Sequence, residues 1–96
     1  MKTIWKYPIE SFNQEIQMPL DTEILCVQLQ NNIPTLWALV ETENVKKSLA
    51  RFDILTYYTG DHQINEKAKY IGTYQLAGLV YHVFVKQQNE NVFDEI

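Results

Sequence analysis

Apolar and polar positions alternate with a period of two along most of the chain. From residue 25 onward, Leu25, Val27 and Leu29 fall on one face and Cys26, Gln28 and Gln30 on the other, the repeat of a half-buried strand. After the amide-rich link Asn31-Asn32-Ile33-Pro34 the chain resumes with residues 35–40 (TLWALV), apolar on both faces, and the pair predicts a hairpin with Pro34 at a strand start or an edge. Residues 51–58 (RFDILTYY) are rich in β-forming side chains and stop at Thr59-Gly60-Asp61, where Gly60 can take the positive φ of a turn. Residues 70–76 and 79–85 are separated only by Ala77-Gly78, the length of a tight hairpin loop. Two shorter segments, 3–7 and 14–18, precede them, the second closed by Pro19. Residues 41–49 are short and lack an apolar stripe, which predicts a loop with one helical turn.

This pattern predicts an all-β fold, or a β-rich one with one short helical turn: a small antiparallel sandwich or barrel of six or seven strands. With 96 residues there is room for one core. Its expected lining is Ile4 or Trp5, Ile16, Leu25, Val27, Leu29, Leu36, Trp37, Leu39, Ile54, Ile71, Val83 and Phe84. A charged residue at Val27 or Leu39 is then expected to prevent folding. Unpaired strand edges on so small a domain also raise the expectation of a homo-oligomer.

Composition narrows the function classes. The 46% apolar content excludes a disordered chain. Eight Lys and Arg against twelve Asp and Glu give a formal charge of −4, which argues against a surface built for duplex nucleic acid. The acids include Glu90, Asp94 and Glu95, so the chain divides into a β-rich domain, 1–86, and an acidic tail, 87–96, that also holds Val92, Phe93 and Ile96. No apolar run is long enough to cross a bilayer, and the first residues lack the pattern of a secretory signal, so a cytoplasmic, membrane-free protein is expected. Cys26 is the single cysteine, which leaves no intrachain disulfide and no cysteine-based zinc site; its apolar setting marks it as a structural thiol.

Catalytic constellations are thin. The two histidines are His62, beside Asp61, and His82, on a strand face shared with Val80 and Phe84; no serine or cysteine stands near either to complete a triad. A non-enzyme without metal or cofactor is expected. A binding site is easier to assemble. Tyr57, Tyr58, Gly60, His62 and Arg51 place aromatic faces, a turn with free backbone donors and a cation close together in sequence, and Trp37 and Lys69 add a second wall and a phosphate contact.

The segments MKTIWKYP, ILCVQLQN, LWALV and YIGTYQL, in this order and spacing over residues 1–85, resemble a family of short proteins from bacteriophages and bacteria catalogued as a domain of unknown function. Asn32 stands where that pattern has glycine. The resemblance brings no catalytic residues with it. It implies a small phage-type protein that antagonises a host system by sequestering a small polar molecule, a nucleotide-derived signal being the most concrete candidate. The alternative is a protein-binding inhibitor of a host enzyme.

Overall fold

The computed structural model describes residues 1–45 and 48–88. Seven strands follow in order: β1 (Lys2–Pro8), β2 (Asn13–Pro19), β3 (Glu23–Gln30), β4 (Ile33–Glu41), β5 (Leu49–Tyr58), β6 (Lys69–Leu76) and β7 (Leu79–Gln87), with one 3₁₀ turn at Thr42–Asn44. They form two antiparallel sheets, β1-β4-β3 and β2-β5-β7-β6. The molecule is thus a small all-β sandwich, with one helical turn among the described residues, as the alternation predicts.

Both expected hairpins form, and their turns explain the residues found there. Asn31 and Asn32 have φ of 51° and 65°, and Ala77 and Gly78 have φ of 53° and 81°. Two successive left-handed residues make the turn whose twist matches the flanking strands. Asn tolerates this region, which is why Asn32 serves in place of glycine. Ala77 carries the steric cost of the same position without that help. Pro34 lies at the start of β4, beyond the end of β1, and its carbonyl accepts the Ile9 N–H at 2.9 Å.

The core lies between the sheets. Met18, Leu36, Val40, Ile54 and Val83 are its largest fully enclosed side chains, with Val27, Ala38, Phe52, Tyr74 and Val85 around them. Of the expected lining, Val27, Leu36, Ile54 and Val83 are buried, and Ile16, Leu29 and Ile71 pack against them half-buried. Three expectations are corrected outright: Ile4, Trp5 and Leu25 are exposed.

Leu25 is displaced because the β3 register shifts between Ile24 and Cys26, so that Ile24 and Val27 both face inward and Leu25 is the extra residue. In β4 the inward set is Leu36, Ala38 and Val40, which puts Trp37 and Leu39 on the outer face, half-buried. Glu41 shares their phase, so the opposite choice would bury a carboxylate. Ile4 pairs with Leu39 and lies on that outer face between Lys2 and Lys6. Trp5 has the inward phase, but β1 packs chiefly along β4 at the edge of its sheet and leaves Trp5 37% exposed. Phe84 likewise faces outward on β7, half-buried.

The two sheets approach most closely where β3 meets β6. A Cβ on Gly72 would stand 2.8 Å from Val27 Cγ1, closer than carbon atoms pack, so glycine is what lets these strands touch. β7 includes Gln87, and Gln88 donates its N–H to the Arg51 carbonyl at 2.8 Å. Residues 89–96, with the acids and apolar residues of the tail, lie outside the described residues.

Three outcomes follow for stability. Gly72→Ala is expected to cost about 1–3 kcal/mol by overpacking, and Val27→Ala, destabilising alone, is expected to recover part of that loss in the double variant. Strictly additive costs in urea titrations would contradict the contact. Val40→Asp is expected to abolish cooperative unfolding while Leu39→Asp still melts as a folded protein, a reversal of the sequence expectation for Leu39 that thermal scans decide.

The tyrosines supply the third. Burial raises the Tyr7 phenol above its ordinary value of 10.0. Tyr74 is also raised, chiefly by burial and then by its neighbours Tyr81 and Tyr58. The folded state therefore holds these protons where the unfolded chain releases them, and stability falls as pH rises past about 10. Urea unfolding at about pH 9 and about pH 11 is expected to show the drop, made smaller by Tyr74→Phe; an equal drop in that variant would refute the assignment.

Candidate ligand-binding groove

The residues singled out in the sequence separate in space. Trp37 is on the outer face of the three-stranded sheet, while Tyr57, Tyr58 and Arg51 are on β5 in the other sheet. Consecutive strand residues point to opposite faces, so Tyr57 and Tyr58 cannot wall one ligand. Tyr57 packs its ring edge against Phe84 on the outer face, at 5.6 Å between centroids, and its hydroxyl accepts the Asn65 N–H at 3.1 Å. Tyr58 joins Phe12 and Tyr81 at 5.2 and 5.3 Å, a cluster extended by Tyr74 stacked on Tyr81 at 4.9 Å. Burial first, and then Tyr81, raises the Tyr58 phenol. Arg51 stands six positions before Tyr57, about 20 Å along the strand.

The turn after β5 is built as its sequence suggests. Gly60 has φ of 94°, the Asp61 N–H donates to the Tyr58 carbonyl at 3.1 Å, and the Asp61 carboxylate accepts the Tyr58 N–H at 2.8 Å. That carboxylate is therefore engaged by backbone. His62 lines a shallow open depression with Tyr57, Asp61 and Gln63.

Lys69 belongs to a different and larger feature. It is the first residue of β6 and pairs with Val85, whereas β7 continues through Lys86 and Gln87 without a β6 partner. The unequal lengths leave a notch, faced on the other side by Glu23 and Ile24 at the start of β3. The register of β6 shifts between Tyr70 and Gly72, as that of β3 shifts beside Ile24, and the residues at these two irregularities, Ile71 and Ile24, both line the notch. The result is a groove of about 660 Å³ with Phe52 and Val85 completing its apolar floor, and Lys67, Lys69 and Lys86 on its rim. The lining holds three lysines and one acid, Glu23, and Lys86 is paired across the sheet with Asp53, on a chain whose formal charge is −4. Lys69 had weight in the sequence as a phosphate contact; Lys86, Ile24, Phe52 and Val85 had none, because their convergence depends on where two strands stop.

Beside the groove, the outer face of the four-stranded sheet carries a chain of hydrogen bonds. Thr59 Oγ1 meets His82 Nε2 at 2.7 Å, Thr73 Oγ1 meets His82 Nδ1 at 3.0 Å, and the Tyr70 hydroxyl meets Thr73 Oγ1 at 2.6 Å. His82 is thus a hydrogen-bonded structural histidine. Thr59 and His82 have the spacing of a nucleophile and a base, but the second imidazole nitrogen meets a neutral hydroxyl, which offers no charge to stabilise an imidazolium. Cys26 is half-buried opposite Trp37 on the other sheet.

Among the described residues no group of three or more His, Cys, Asp or Glu side chains is placed to hold a metal ion. Among them, too, no helix is long and apolar enough to cross a membrane. What the groove offers chemically is a set of point cations over an apolar surface, suited to a small anion with an apolar body.

Comparison with curated proteins and with solved structures returns no match. A family model does match, over residues 1–93, and it spans the sandwich and the groove alike; the chain belongs to the family described as Domain of unknown function (DUF7352).

Proposed function

We propose that the protein is a non-catalytic binding protein that captures a small phosphorylated molecule in the groove between β3 and β7. The observation that carries this reading is the convergence of Lys67, Lys69 and Lys86 around Ile24, Phe52, Ile71 and Val85. Lysines act on phosphate as strong point charges, and an apolar floor rewards a ligand that brings a body able to shed water. The volume suits a ligand of nucleotide size. In the phage-type setting implied by the sequence resemblance, retention without turnover amounts to sequestration of a nucleotide-derived signal.

A second reading draws on β1, an edge strand with Ile4 and Trp5 exposed. Such an edge can add a strand from another copy or from a host enzyme.

Calorimetry and native mass spectrometry against a panel of nucleotides test the first reading. Binding is expected to weaken with salt and to fall about tenfold or more in Lys67→Ala, Lys69→Ala, with the ligand recovered intact after heat release. Unchanged affinity in that variant, or recovery of a converted product, would overturn it. Silence across the panel together with a protein partner lost on Trp5→Lys would support the second reading instead.

A further inference from the structure

We propose that the end of the sandwich opposite the groove holds a second binding site, an aromatic pocket for the quaternary ammonium group of a small molecule. Leu76 at the end of β6 pairs with Leu79 at the start of β7, about 20 Å along the strand from Lys69 and the notch. A cavity of about 190 Å³ opens there, lined by the rings of Phe12, Tyr74 and Tyr81 and by the acid Glu10. Ile9, Pro34 and Leu76 supply apolar contacts beside them. Glu10 is the one charged side chain among the described residues that line it.

The walls are set by the fold. Tyr74 and Tyr81 are cross-strand partners and stack at 4.9 Å with 17° between their planes. Phe12 comes from the link between β1 and β2, which is tied to both sheets: the Ile9 N–H donates to the Pro34 carbonyl and the Phe12 carbonyl accepts the Thr56 N–H, each at 2.9 Å. The Phe12 ring stands 6.1 Å from Tyr81 at 43° to it, and an edge contact with Tyr58 at 5.2 Å steadies it. Two aromatic walls of different orientation therefore meet at the cavity, and Phe12 keeps 51% of its surface open. On the same link the Glu10 N–H donates to Gln14 Oε1 at 2.7 Å, while the Glu10 carboxylate has no ion pair or hydrogen bond among the described residues.

This lining selects by charge and by hydration. Aromatic faces and a carboxylate attract a cation and repel an anion, and a neutral apolar group would cover the carboxylate without pairing it. A primary ammonium is strongly hydrated and asks for three acceptors. A fully methylated one sheds its water more readily and turns methyl groups toward Ile9, Pro34 and Leu76. The cavity is smaller than the roughly 300–1,000 Å³ of sites for drug-sized ligands, so it takes a compact head group. A phosphate beside that ammonium would lie against Glu10, which favours a choline-like molecule over a phospholipid head group.

Calorimetry and NMR titration of the full chain test the site with choline, its neutral isostere carrying a quaternary carbon in place of the nitrogen, phosphatidylcholine vesicles and a peptide carrying trimethyllysine. Choline is expected to bind about tenfold tighter than the isostere, with its methyl protons shifted upfield by the ring faces. Phe12→Leu, at an exposed position, is expected to weaken choline about fivefold or more, and Phe12→Trp to retain it. Glu10→Gln is expected to weaken choline by a few fold and to leave the isostere unaltered. No choline binding, equal affinity for choline and isostere, methyl protons that do not move, or an affinity for choline unchanged in both Phe12→Leu and Glu10→Gln overturns the site. Tighter binding of the vesicles or of the peptide than of choline overturns the assignment to a small molecule.

Discussion

The fold turns on one contact, Gly72 against Val27. Two sheets of three and four strands can face each other in many ways, and side chains usually keep them about 10 Å apart. Here the edge strands β3 and β6 come together because one of them presents no side chain at the meeting point. That closes one flank of the sandwich and brings Val27, Tyr74 and Val83 into a common core. It also sets the geometry below the contact. Each strand has an extra residue near this point, and extra residues bend the strand that carries them. Tight contact at Gly72 and divergence beside Ile24 and Ile71 are parts of one arrangement, and the groove is the space between them.

The groove's charge follows from the same geometry. Strand ends and the segments entering them are where lysines can stand with their ammonium groups in water and their stems on apolar surface. Lys69 begins β6, Lys67 precedes it, and Lys86 is in the part of β7 that outruns β6, so the end of one short strand gathers all three. Acids stand close to them as well: Glu23 lines the groove and Asp53 is the cross-strand partner of Lys86, while Glu41 is at the end of β4. A chain with an excess of acids can in this way carry a local basic site. Overall charge is a guide to long-range attraction, whereas the lysines act at contact distance.

Most of the fold was legible in the sequence because period-two alternation and two-residue links are local signals. All seven strands and both hairpins are present in the pattern, and the isolated helical turn is too. Facing was harder to read. Leu25 follows the alternation faithfully and is exposed nonetheless, since an extra residue in β3 reverses the phase, and nothing in the run Ile24-Leu25-Cys26 announces it. For β4 a usable signal was there: Glu41 keeps step with Trp37 and Leu39, and a carboxylate belongs outside. The site was the least legible. Tyr57 and Tyr58 are neighbours in sequence and opposites in space, and Trp37 is on the other sheet. Lys69 was singled out in the sequence, but its companions Lys86 and Phe52 come from strands that only the sheet order brings near it.

The mismatch between a three-stranded and a four-stranded sheet leaves β1 in an unusual position. It is attached along β4, tied at its end by the Met1 carbonyl, which receives the Thr42 N–H and hydroxyl at 2.9 and 2.8 Å, and steadied at the other end by Gln14, which reaches back to the Pro8 carbonyl at 3.3 Å. Almost none of its surface is enclosed. Detaching it would sacrifice a ladder of backbone bonds along β4 and the packing of Tyr7 against the core. A strand held along a single neighbour and at its two tips is of the kind that two copies of a chain can trade.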